Sequence, residues 1–439
     1  MSSDKKFNIK DLLSKAKLTK SGEDDSEQTV FDRVGSFFDP EPQKERVLSR
    51  EDFKAAGDVY YASVSAFYKI FERLLWVVLA VFLAVSLATN YKEITYDNFF
   101  YLLRDFSTAA ESEASNYQIL SYDSDPRQNF ALYRGGVVSA SPSSVSVFTA
   151  SGRRTLKSNN DYYSPNVISC DKYVLVYDTA SSDFSVYNSF SKVYNQTLDA
   201  PITDACFNSG GEFALSTRQN DTKTFIYLYD EDIKLRGRIP DSRFNFDIAL
   251  NDSGTRVAAL YYTSGDGIGE TALCIYDVAG SSSAGTLAEI NIAGEFPLKC
   301  VFLVNGSVAV ITDRSIRVYD KNFKEISCEL FGEGEISAFN ASSTGGAAVV
   351  SHGAQKSIIA FGENGKTVYN GSVSENVSYV AVSGDFLFLR TVSGVIRIDM
   401  TNDEREFLRS DSGYMLIHSD DTAIVCGDAK AEYLVFGKK

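Results

Sequence analysis

The stretch Ser315–Asp320, SIRVYD, contains the pattern that decides the fold: a short strand-like run, an apolar-aromatic pair, and an Asp that opens a turn. A comparable pair recurs along the chain, at successive steps of 39, 42, 47, 43, 42, 37 and 38 residues. The eight pairs are Val147-Phe148, Val186-Tyr187, Leu228-Tyr229, Ile275-Tyr276, Val318-Tyr319, Ala360-Phe361, Arg397-Ile398 and Val435-Phe436. A repeat of about 40 residues with several short strands in each unit is typical of β-propeller blades.

The repeats predict an all-β domain, an eight-bladed β-propeller that begins at residue 117. The predicted blades start near Asn129, Pro165, Ile202, Phe246, Pro297, Glu335, Asn376 and Gly413. The last unit lacks a fourth strand, whereas Tyr117–Asp123 is a strand without a unit. We therefore expect this early strand to complete the last blade and close the ring, which removes exposed sheet edges. A seven-bladed ring is the alternative if the first or last unit is irregular.

Two kinds of turn signal recur among the repeats. An Asp or Asn follows the pair in five units and is expected to hydrogen-bond the backbone of the next turn. These residues are Asn188, Asp230, Asp277, Asp320 and Asp399. Earlier in the unit, Gly-containing turns supply the positive φ that tight hairpins require; they begin at Asn208, Asn251, Asn305 and Ser383.

The uncharged run Leu74–Tyr91, LLWVVLAVFLAVSLATNY, predicts a transmembrane helix. Eighteen helical residues measure about 27 Å, close to the hydrocarbon thickness of a bilayer. A buried helix of a soluble protein and a cleaved signal peptide are the alternatives. Trp76 and Tyr91 stand near the two ends, where amphipathic rings favour the headgroup region. The sequence thus predicts a lipid bilayer as partner of residues 74–91.

The orientation is predicted from basic residues near the ends of this run. Lys54, Lys69 and Arg73 precede it, and Lys92 and Arg104 follow it. The excess on the first side places the N-terminus in the cytoplasm and the propeller outside it. We therefore predict a single-pass cell-membrane protein with an extracytoplasmic propeller.

Four segments result from these predictions. Residues 1–50 form a partly disordered cytoplasmic arm, in which residues 7–16 make a basic amphipathic helix or a solvated tail. Residues 51–91 form a juxtamembrane and transmembrane helix with its core at 74–91, and residues 117–439 form the propeller. Residues 92–116 form a stalk helix and a linker, with Asp97 as the expected N-cap. The expected apolar stripe of that helix is Phe99, Leu102, Leu103 and Phe106.

Charge and cysteine usage narrow the possible functions. The chain has a net charge of −15, and residues 92–439 carry 30 Lys+Arg against 44 Asp+Glu. Because an acidic domain is repelled by phosphates, no nucleic-acid partner is expected. The six cysteines are scattered without a CxxC pair, which favours buried thiols over disulfides, although pairing stays open.

No motif in the sequence indicates a cofactor, a metal or a catalytic residue. A ring of Trp residues marks quinone-binding propellers, but the one Trp of the chain is Trp76. The Trp-Asp and Gly-His pairs of eukaryotic-type repeats are absent, as are the G-x-S-x-G elbow, the P-loop and the Ca²⁺ loop. His352 and His418 are the only histidines. We therefore expect no cofactor, no metal and no enzymatic activity.

The order of arm, membrane helix, stalk and Val-Tyr-Asp repeats resembles membrane-anchored propeller proteins of Gram-positive bacteria that carry a domain-of-unknown-function label. The repeats also resemble quinoprotein-like and WD40-like propellers, and those of outer-membrane assembly, without the Trp docking positions. The resemblance covers nearly the whole chain. Because its motifs are structural, it implies a fold and no functional residues.

The favoured function is a binding or scaffold module for a protein partner or an extracellular ligand. Propellers bind partners on the face made by the loops between second and third strands and by the blade-to-blade connections, where Tyr and Arg would contribute most. Candidate partner-binding residues there are Tyr162, Tyr163, Arg218, Arg243, Asp266, Glu333 and His352. An extracytoplasmic enzyme acting on polysaccharide or peptide would need paired carboxylates or a metal at the ring centre. A transmembrane sensor is the third hypothesis.

Overall fold

The computed structural model describes residues 50–89, 91, 95–101, 103, 119–219, 223–265, 268–280 and 285–437. The predicted basic helix at residues 7–16 lies outside the described residues, as do residues 92–94, 102 and 104–116 of the predicted stalk helix and linker. The chain divides into two compact units, Met1–Glu93 and Ile94–Lys439.

The first unit contains one long helix, α1 (Arg50–Thr89), of 40 residues. The predicted continuous helix that runs into the apolar stretch is therefore confirmed. Its apolar part, Tyr68–Thr89, has a mean hydropathy of 2.2 and is not buried within the protein. Twenty-two helical residues measure about 33 Å, which matches a hydrocarbon core of about 30 Å. This helix is thus long and apolar enough to cross a membrane.

Residues 119–437 fold into eight four-stranded antiparallel sheets, which are the blades of the predicted β-propeller. A two-residue strand, β1 (Leu120–Ser121), precedes them. Blades 1 and 2 consist of β2 (Asn129–Tyr133), β3 (Gly136–Ala140), β4 (Ser144–Phe148) and β5 (Arg154–Asn159), then β6 (Pro165–Ser169), β7 (Val174–Asp178), β8 (Asp183–Tyr187) and β9 (Lys192–Thr197). Blades 3 and 4 consist of β10 (Ile202–Phe207), β11 (Phe213–Gln219), β12 (Lys223–Tyr229) and β13 (Leu235–Asp241), then β14 (Phe244–Leu250), β15 (Arg256–Gly265), β16 (Ile268–Asp277) and β17 (Gly285–Ala293).

The second half repeats this arrangement. Blades 5 and 6 consist of β18 (Pro297–Phe302), β19 (Val308–Thr312), β20 (Ser315–Tyr319) and β21 (Glu325–Leu330), then β22 (Glu335–Ser342), β23 (Gly345–His352), β24 (Gln355–Gly362) and β25 (Thr367–Val373). Blades 7 and 8 consist of β26 (Val377–Ser383), β27 (Phe386–Thr391), β28 (Gly394–Asp399) and β29 (Arg405–Arg409), then β30 (Tyr414–Ser419), β31 (Thr422–Cys426) and β32 (Lys430–Val435). The first strands of successive blades contact each other, and β30 contacts β2, so the ring is closed around a central axis.

Blade 8 is assembled from both ends of the domain, as predicted. Strand β1 pairs with β32, with Leu120 opposite Ala431 and Ser121 opposite Lys430. The Tyr122 hydroxyl extends this contact by donating a 2.7 Å hydrogen bond to the Gly427 carbonyl. The eight-bladed ring is therefore confirmed, and its last sheet depends on a strand that precedes the first blade.

The core of the propeller lies between neighbouring blades. Strand β7 (VLVYD) is buried at all five positions, whereas the outer strand β9 (KVYNQT) alternates exposed and half-buried residues. Strands covered on both faces are expected to form continuous apolar runs. Eight apolar clusters result, each made by two adjacent blades, so every blade interface, including the one between blades 8 and 1, has its own core.

The turn residues act as the repeats predict. The Asp320 carboxylate accepts the N–H groups of Asn322 and Lys324 at 2.8 and 2.9 Å, and Asp230 does the same in blade 3. In the earlier turn of blade 4, the Asn251 side-chain oxygen accepts the Thr255 N–H at 2.9 Å. These local bonds hold the hairpins closed without help from other blades.

Most of the inner strands contain a β-bulge. The pairing register shifts between Ile202 and Asp204 in blade 3, between Asn245 and Asp247 in blade 4, and at matching positions in blades 5, 6 and 7. The extra residue of a bulge leaves the ladder and its side chain is re-aimed. These bulges decide which side chains reach the centre and the mouth of the ring.

All six cysteines are free thiols. Cys274, Cys300 and Cys426 are buried, as the sequence favoured, and Cys170 and Cys206 are half-buried. Cys328 differs from the expectation because it lies exposed on the outer strand β21, whose alternate residues face solvent.

Candidate functional site

The propeller has two faces that differ in which loops form them. The upper face is made by the loops between second and third strands and by the connections between blades. The lower face is made by the loops between first and second strands and between third and fourth strands. The six described candidate residues, Tyr162, Tyr163, Arg218, Arg243, Glu333 and His352, all lie on the upper face or at strand ends beside it. Asp266 lies outside the described residues.

Tyr162 and Tyr163 stand in the connection between blades 1 and 2, and they differ in exposure. The Tyr162 hydroxyl is 2.7 Å from Ser185 Oγ, its ring packs against the core between the two blades, and burial raises its pKa. The Tyr163 ring is 70% exposed, and the Arg127 guanidinium lies 4.8 Å from its centroid. Tyr162 is therefore a packing residue, whereas Tyr163 is open to a partner.

Arg218 and Arg243 lie near each other at blades 3 and 4 but have different surroundings. Arg243 donates to Asp241 Oδ2 at 2.8 Å and to Glu289 Oε1 at 2.7 Å, so its charge is neutralised by two carboxylates of the propeller itself. The Arg218 guanidinium lies 4.4 Å from the centroid of Phe244, which is 42% exposed. Of the two, Arg218 is the one at the surface.

Glu333 and His352 form a third group, at blades 5 and 6. Both are exposed, and the His352 ring lies over Gly334, where an added Cβ would be 2.4 Å from His352 Cε1. The candidates thus form three separate groups around the upper face and do not converge on one centre.

An aromatic cluster on the same face was missed by the sequence interpretation. Phe246, Tyr262 and Phe296 have ring centroids 4.8 Å apart for Phe246–Phe296, 5.1 Å for Tyr262–Phe296 and 6.2 Å for Phe246–Tyr262. Phe246 is 41% and Phe296 38% exposed. We call these three residues the aromatic cluster.

Local backbone features place the three rings. Phe246 is the extra residue of the bulge in β14, which turns it out of the ladder. Phe296 is fixed because its N–H donates to Asp313 Oδ1 at 2.7 Å. Tyr262 lies against Gly269, where an added Cβ would be 2.0 Å from the Tyr262 hydroxyl. The sequence feature that could have indicated this cluster is the occurrence of aromatic residues at neighbouring strand ends. The bulge that exposes Phe246, however, cannot be recognised in the sequence.

Three charged side chains occupy equivalent positions on the inner strands of blades 3, 4 and 5. Asp204 Oδ2 accepts the Ile248 N–H at 2.9 Å, and Asp247 Oδ2 accepts the Cys300 N–H at 2.7 Å. Lys299 Nζ lies 3.6 Å from Asp247 Oδ1. Each carboxylate therefore joins its own blade to the next.

The pKa values of this inner group are strongly perturbed. Burial, together with the nearby charge of Asp247, raises the pKa of Asp204 to about 8. Burial also raises the pKa of Asp247, although the nearby Lys299 ammonium acts in the opposite direction. The negative charge of Asp247 in turn raises the pKa of Lys299. The described residues include no group of three or more His, Cys, Asp or Glu side chains suited to holding a metal ion.

Residues 110–425 match the sequence model of a family of unknown function, DUF5711. The chain belongs to this family. No curated protein matches it in sequence.

Among solved structures, the DUF5711 chain is similar to Sqt1 of Saccharomyces cerevisiae, with a TM-score of 0.54 and 13% identity over 74% of this chain and 100% of that chain. Sqt1 of Chaetomium thermophilum gives a TM-score of 0.54 and 13% identity over 74% and 98%. BamB from Moraxella catarrhalis gives 0.51 and 11% over 72% and 98%. At these identities the similarity shows a shared propeller fold and nothing finer.

The DUF5711 match begins at residue 110, and a segment that precedes it docks on the lower face. We call residues 95–101 and 103 the docked segment; residues 96–101 and 103 are helical. Thr95 Oγ1 caps this helix by accepting the Asn98 N–H at 3.2 Å. The prediction that Asp97 is the N-cap is therefore wrong. Asp97 is 5% exposed, and its Oδ2 accepts the Tyr133 hydroxyl and the Ser189 N–H, both at 3.2 Å.

Aromatic and cationic contacts complete the docking. The Phe190 ring lies 5.0 Å from Tyr96 and 5.1 Å from Phe100. The Arg134 guanidinium lies 4.7 Å from the Tyr101 ring, and that of Arg153 lies 4.8 Å from Phe100.

The two described residues of the predicted apolar stripe, Phe99 and Leu103, are not on the docked face of this helix, and Leu102 and Phe106 lie outside the described residues. Phe99 and Leu103 are 56% and 53% exposed, whereas Asp97 and Tyr101 are buried. Burying the Asp97 carboxylate against the Tyr133 hydroxyl and the Ser189 N–H is a tertiary arrangement that helical periodicity does not indicate.

Proposed function

We propose that this DUF5711 protein is a single-pass membrane protein that presents its propeller outside the cytoplasm as a binding platform for a partner protein. The observation that carries the proposal is the aromatic cluster on the upper face. Exposed aromatic side chains that contact each other are uncommon on surfaces that bind nothing, and aromatic residues contribute most of the binding energy at interfaces.

The position of the aromatic cluster supports a preformed site. Phe246 is the bulge residue of an inner strand and lies between Asn245 and Asp247, which stay paired with β15. Phe296 comes from a connection between blades and is held by the bond from its N–H to Asp313. Little conformational entropy would be lost when such rings are covered, which favours affinity. Tyr163 and Arg218, exposed on the same face, would extend the contact around the ring.

Membrane anchoring is supported by the apolar part of α1. Tyr68–Thr89 exposes large apolar side chains over its whole length, among them Trp76 at 62% and Phe82 at 67%. Water is an unfavourable environment for such a surface, whereas lipid chains are not. The excess of basic residues before the helix supports a cytoplasmic N-terminus.

We propose a non-catalytic role because Asp204 and Asp247, a pair of buried carboxylates on inner strands of the described chain, already have structural partners. Asp204 and Asp247 each accept a backbone N–H of the next blade, and Lys299 lies beside Asp247. A glycosidase-type pair needs one carboxyl group to donate a proton to substrate and the other to act as base or nucleophile. Turning either group toward a substrate would break a bond between blades.

Site-specific photocrosslinking in intact cells tests the platform. A photoreactive phenylalanine analogue at position 296 is expected to capture a defined partner, because this ring lies in the proposed interface. The matched control is the same analogue at Leu330, which is 66% exposed on the outer strand of blade 5. The variant Phe246→Ser should abolish the product formed at position 296 while leaving the free energy of unfolding within about 0.5 kcal/mol of the wild-type value. Identical products from positions 296 and 330 would contradict the proposal.

A transmembrane sensor is the second candidate, and the docked segment favours it. This segment begins six residues after the end of α1 and is fixed to the ring through buried Asp97. A sensor requires residues 1–49 for output, so their deletion and Asp97→Ala should give the same change in the cellular transcript profile. A platform alone predicts that the deletion leaves both the profile and the crosslink at position 296 unchanged.

A further inference from the structure

A pocket of about 470 Å³ opens on the lower face, away from the docked segment. It lies among the turns that join first and second strands in blades 3, 4, 5 and 6. Its wall includes half-buried Phe207 and Leu250, buried Phe302 and exposed Val304. A volume of this size falls in the range of about 300–1,000 Å³ that is typical of ligand sites.

The pocket exists because the four turns are joined in two pairs. The Asn208 amide donates to the Asp252 carbonyl at 3.2 Å, which joins the turns of blades 3 and 4. The Val304 N–H donates to the Ser343 carbonyl at 2.9 Å, which joins the turns of blades 5 and 6. Among the described residues no hydrogen bond joins the turn of blade 4 to that of blade 5. A cleft therefore remains between the two pairs, and it is bounded by fixed backbone.

Arg256 places a positive charge in this cleft. Its side chain is half-buried, and the guanidinium carbon lies 5.6 Å from the Phe323 ring centroid. Within the described part of the chain, its guanidinium has no carboxylate partner and no hydrogen-bond acceptor. Other half-buried arginines of blades 3 and 5 are ion-paired: Arg236 with Glu212 and Arg317 with Glu295, each at 2.7 Å. In a domain with more acidic than basic residues, Arg256 is thus left available to an outside anion.

We propose that this pocket binds the C-terminal end of a partner's polypeptide, with its last apolar side chain against Leu250 and Phe302 and its free carboxylate on Arg256. Guanidinium groups bind carboxylates through parallel N–H···O bonds, and the surrounding apolar wall selects a carboxylate that carries an aliphatic group. Capture of a terminal carboxylate is an established mode of peptide recognition. The proposal does not depend on the aromatic cluster, which lies on the opposite face.

The test uses the full chain in detergent micelles and fluorescence anisotropy of a dye-labelled peptide of sequence GAVL. The peptide with a free carboxylate is expected to bind about tenfold more tightly than its C-terminal amide, because a charge-assisted hydrogen bond is lost in the amide. Arg256→Gln should remove this difference by weakening the acid form alone. Val304→Asp should weaken both forms, since it places a charge on the apolar wall.

The control variant is Arg409→Gln, an exposed arginine on the outer strand of blade 7, which should bind like wild type. Thermal unfolding of each variant separates loss of binding from loss of fold. Equal affinity of acid and amide, or an unchanged affinity of Arg256→Gln for the acid, would overturn the proposal. Competition by 4-methylpentanoate as strong as that of the unlabelled peptide would also overturn it, since the site would then be one for small organic acids.

Discussion

Arg390 shows how the propeller holds a buried charge without an acidic partner. Its side chain is 2% exposed, and its guanidinium donates to the carbonyl oxygens of Thr391, Gly394, Asp411 and Gly413, the last two in the connection to blade 8. Arg390→Met keeps most of the volume but removes the guanidinium donors of these four carbonyl oxygens, of which Gly394 O still accepts the Thr391 hydroxyl. We therefore expect the free energy of unfolding to fall by about 2–4 kcal/mol. Urea unfolding in detergent measures this value. Arg409→Met, at an exposed site of the same blade, should change it by less than about 0.5 kcal/mol; equal losses in the two variants would show that the carbonyl contacts contribute nothing.

The titration of buried Asp204 makes the free energy of unfolding decrease as pH rises. Its pKa is raised from the ordinary value of 3.8 to about 8 in the folded protein, chiefly by burial and then by Asp247. Between these values the folded state binds more protons than the unfolded state, so the free energy of unfolding falls as pH rises from about 4 to about 8 and then levels off. Asp204→Asn keeps an acceptor for the Ile248 N–H but does not titrate, so its decline should be smaller. Urea titrations from about pH 5 to about pH 9 test this, with the exposed Asp161→Asn as control; parallel profiles for wild type and Asp204→Asn would refute it.

Residues whose role is local could be predicted from sequence, and residues whose role is set by contacts with other strands could not. Asp320 holds the turn that follows it, so a repeat of Val-Tyr-Asp was enough to predict its bonds. Phe246 is exposed because of a bulge defined by pairing with β15, and Arg243 is ion-paired with Glu289 of β17 in addition to its sequence neighbour Asp241. Sequence spacing contains neither the register nor the Glu289 partner. The same limit explains why Asp97 was expected to cap a helix and instead binds the ring.

At the scale of elements, the two-residue strand β1 helps to close the ring by pairing with the last strand, β32. Leu120 is 1% exposed and packs in the cluster between blades 8 and 1. Leu120→Ala should lower the free energy of unfolding by about 2–5 kcal/mol, as a large-to-small change in a core does. Its neighbour Ile119 is 61% exposed, so Ile119→Ala is a matched control with an expected change below about 0.5 kcal/mol.

Hydrogen exchange distinguishes loss of closure from general loss of stability. If β1 closes the ring, the amides of β32, whose Lys430 and Ala431 pair with β1, should lose protection in Leu120→Ala before those of blade 4 do. Uniform loss of protection across all blades would mean that Leu120 is an ordinary core residue. The strand itself was predictable because the last repeat lacked one, whereas its short length was not, since sequence does not show where pairing stops.

At the scale of the whole molecule, the apolar clusters explain why the ring can be built from repeats with little sequence in common. Each cluster is made by two adjacent blades, so each blade needs only complementary neighbours. The charged contacts Asp204–Ile248 and Asp247–Cys300 add directional bonds across two of these interfaces. The upper face and the lower pocket are therefore supported by a closed frame, and loops on that frame can vary without loss of the fold.

The exposed thiol of Cys328 provides a way to measure on which side of the membrane the propeller lies. The other five cysteines are buried or half-buried, so a membrane-impermeant maleimide should react in intact cells chiefly at Cys328 if the propeller is outside the cytoplasm. Because burial raises the pKa of the Cys328 thiol, the reaction should be faster near pH 8.5 than near pH 7. Cys328→Ser removes the signal, and in that background Ser3→Cys, on the predicted cytoplasmic arm, should react only after lysis. The reverse pattern, with Ser3→Cys labelled in intact cells and Cys328 protected, would place the propeller in the cytoplasm and remove the basis for an extracytoplasmic platform.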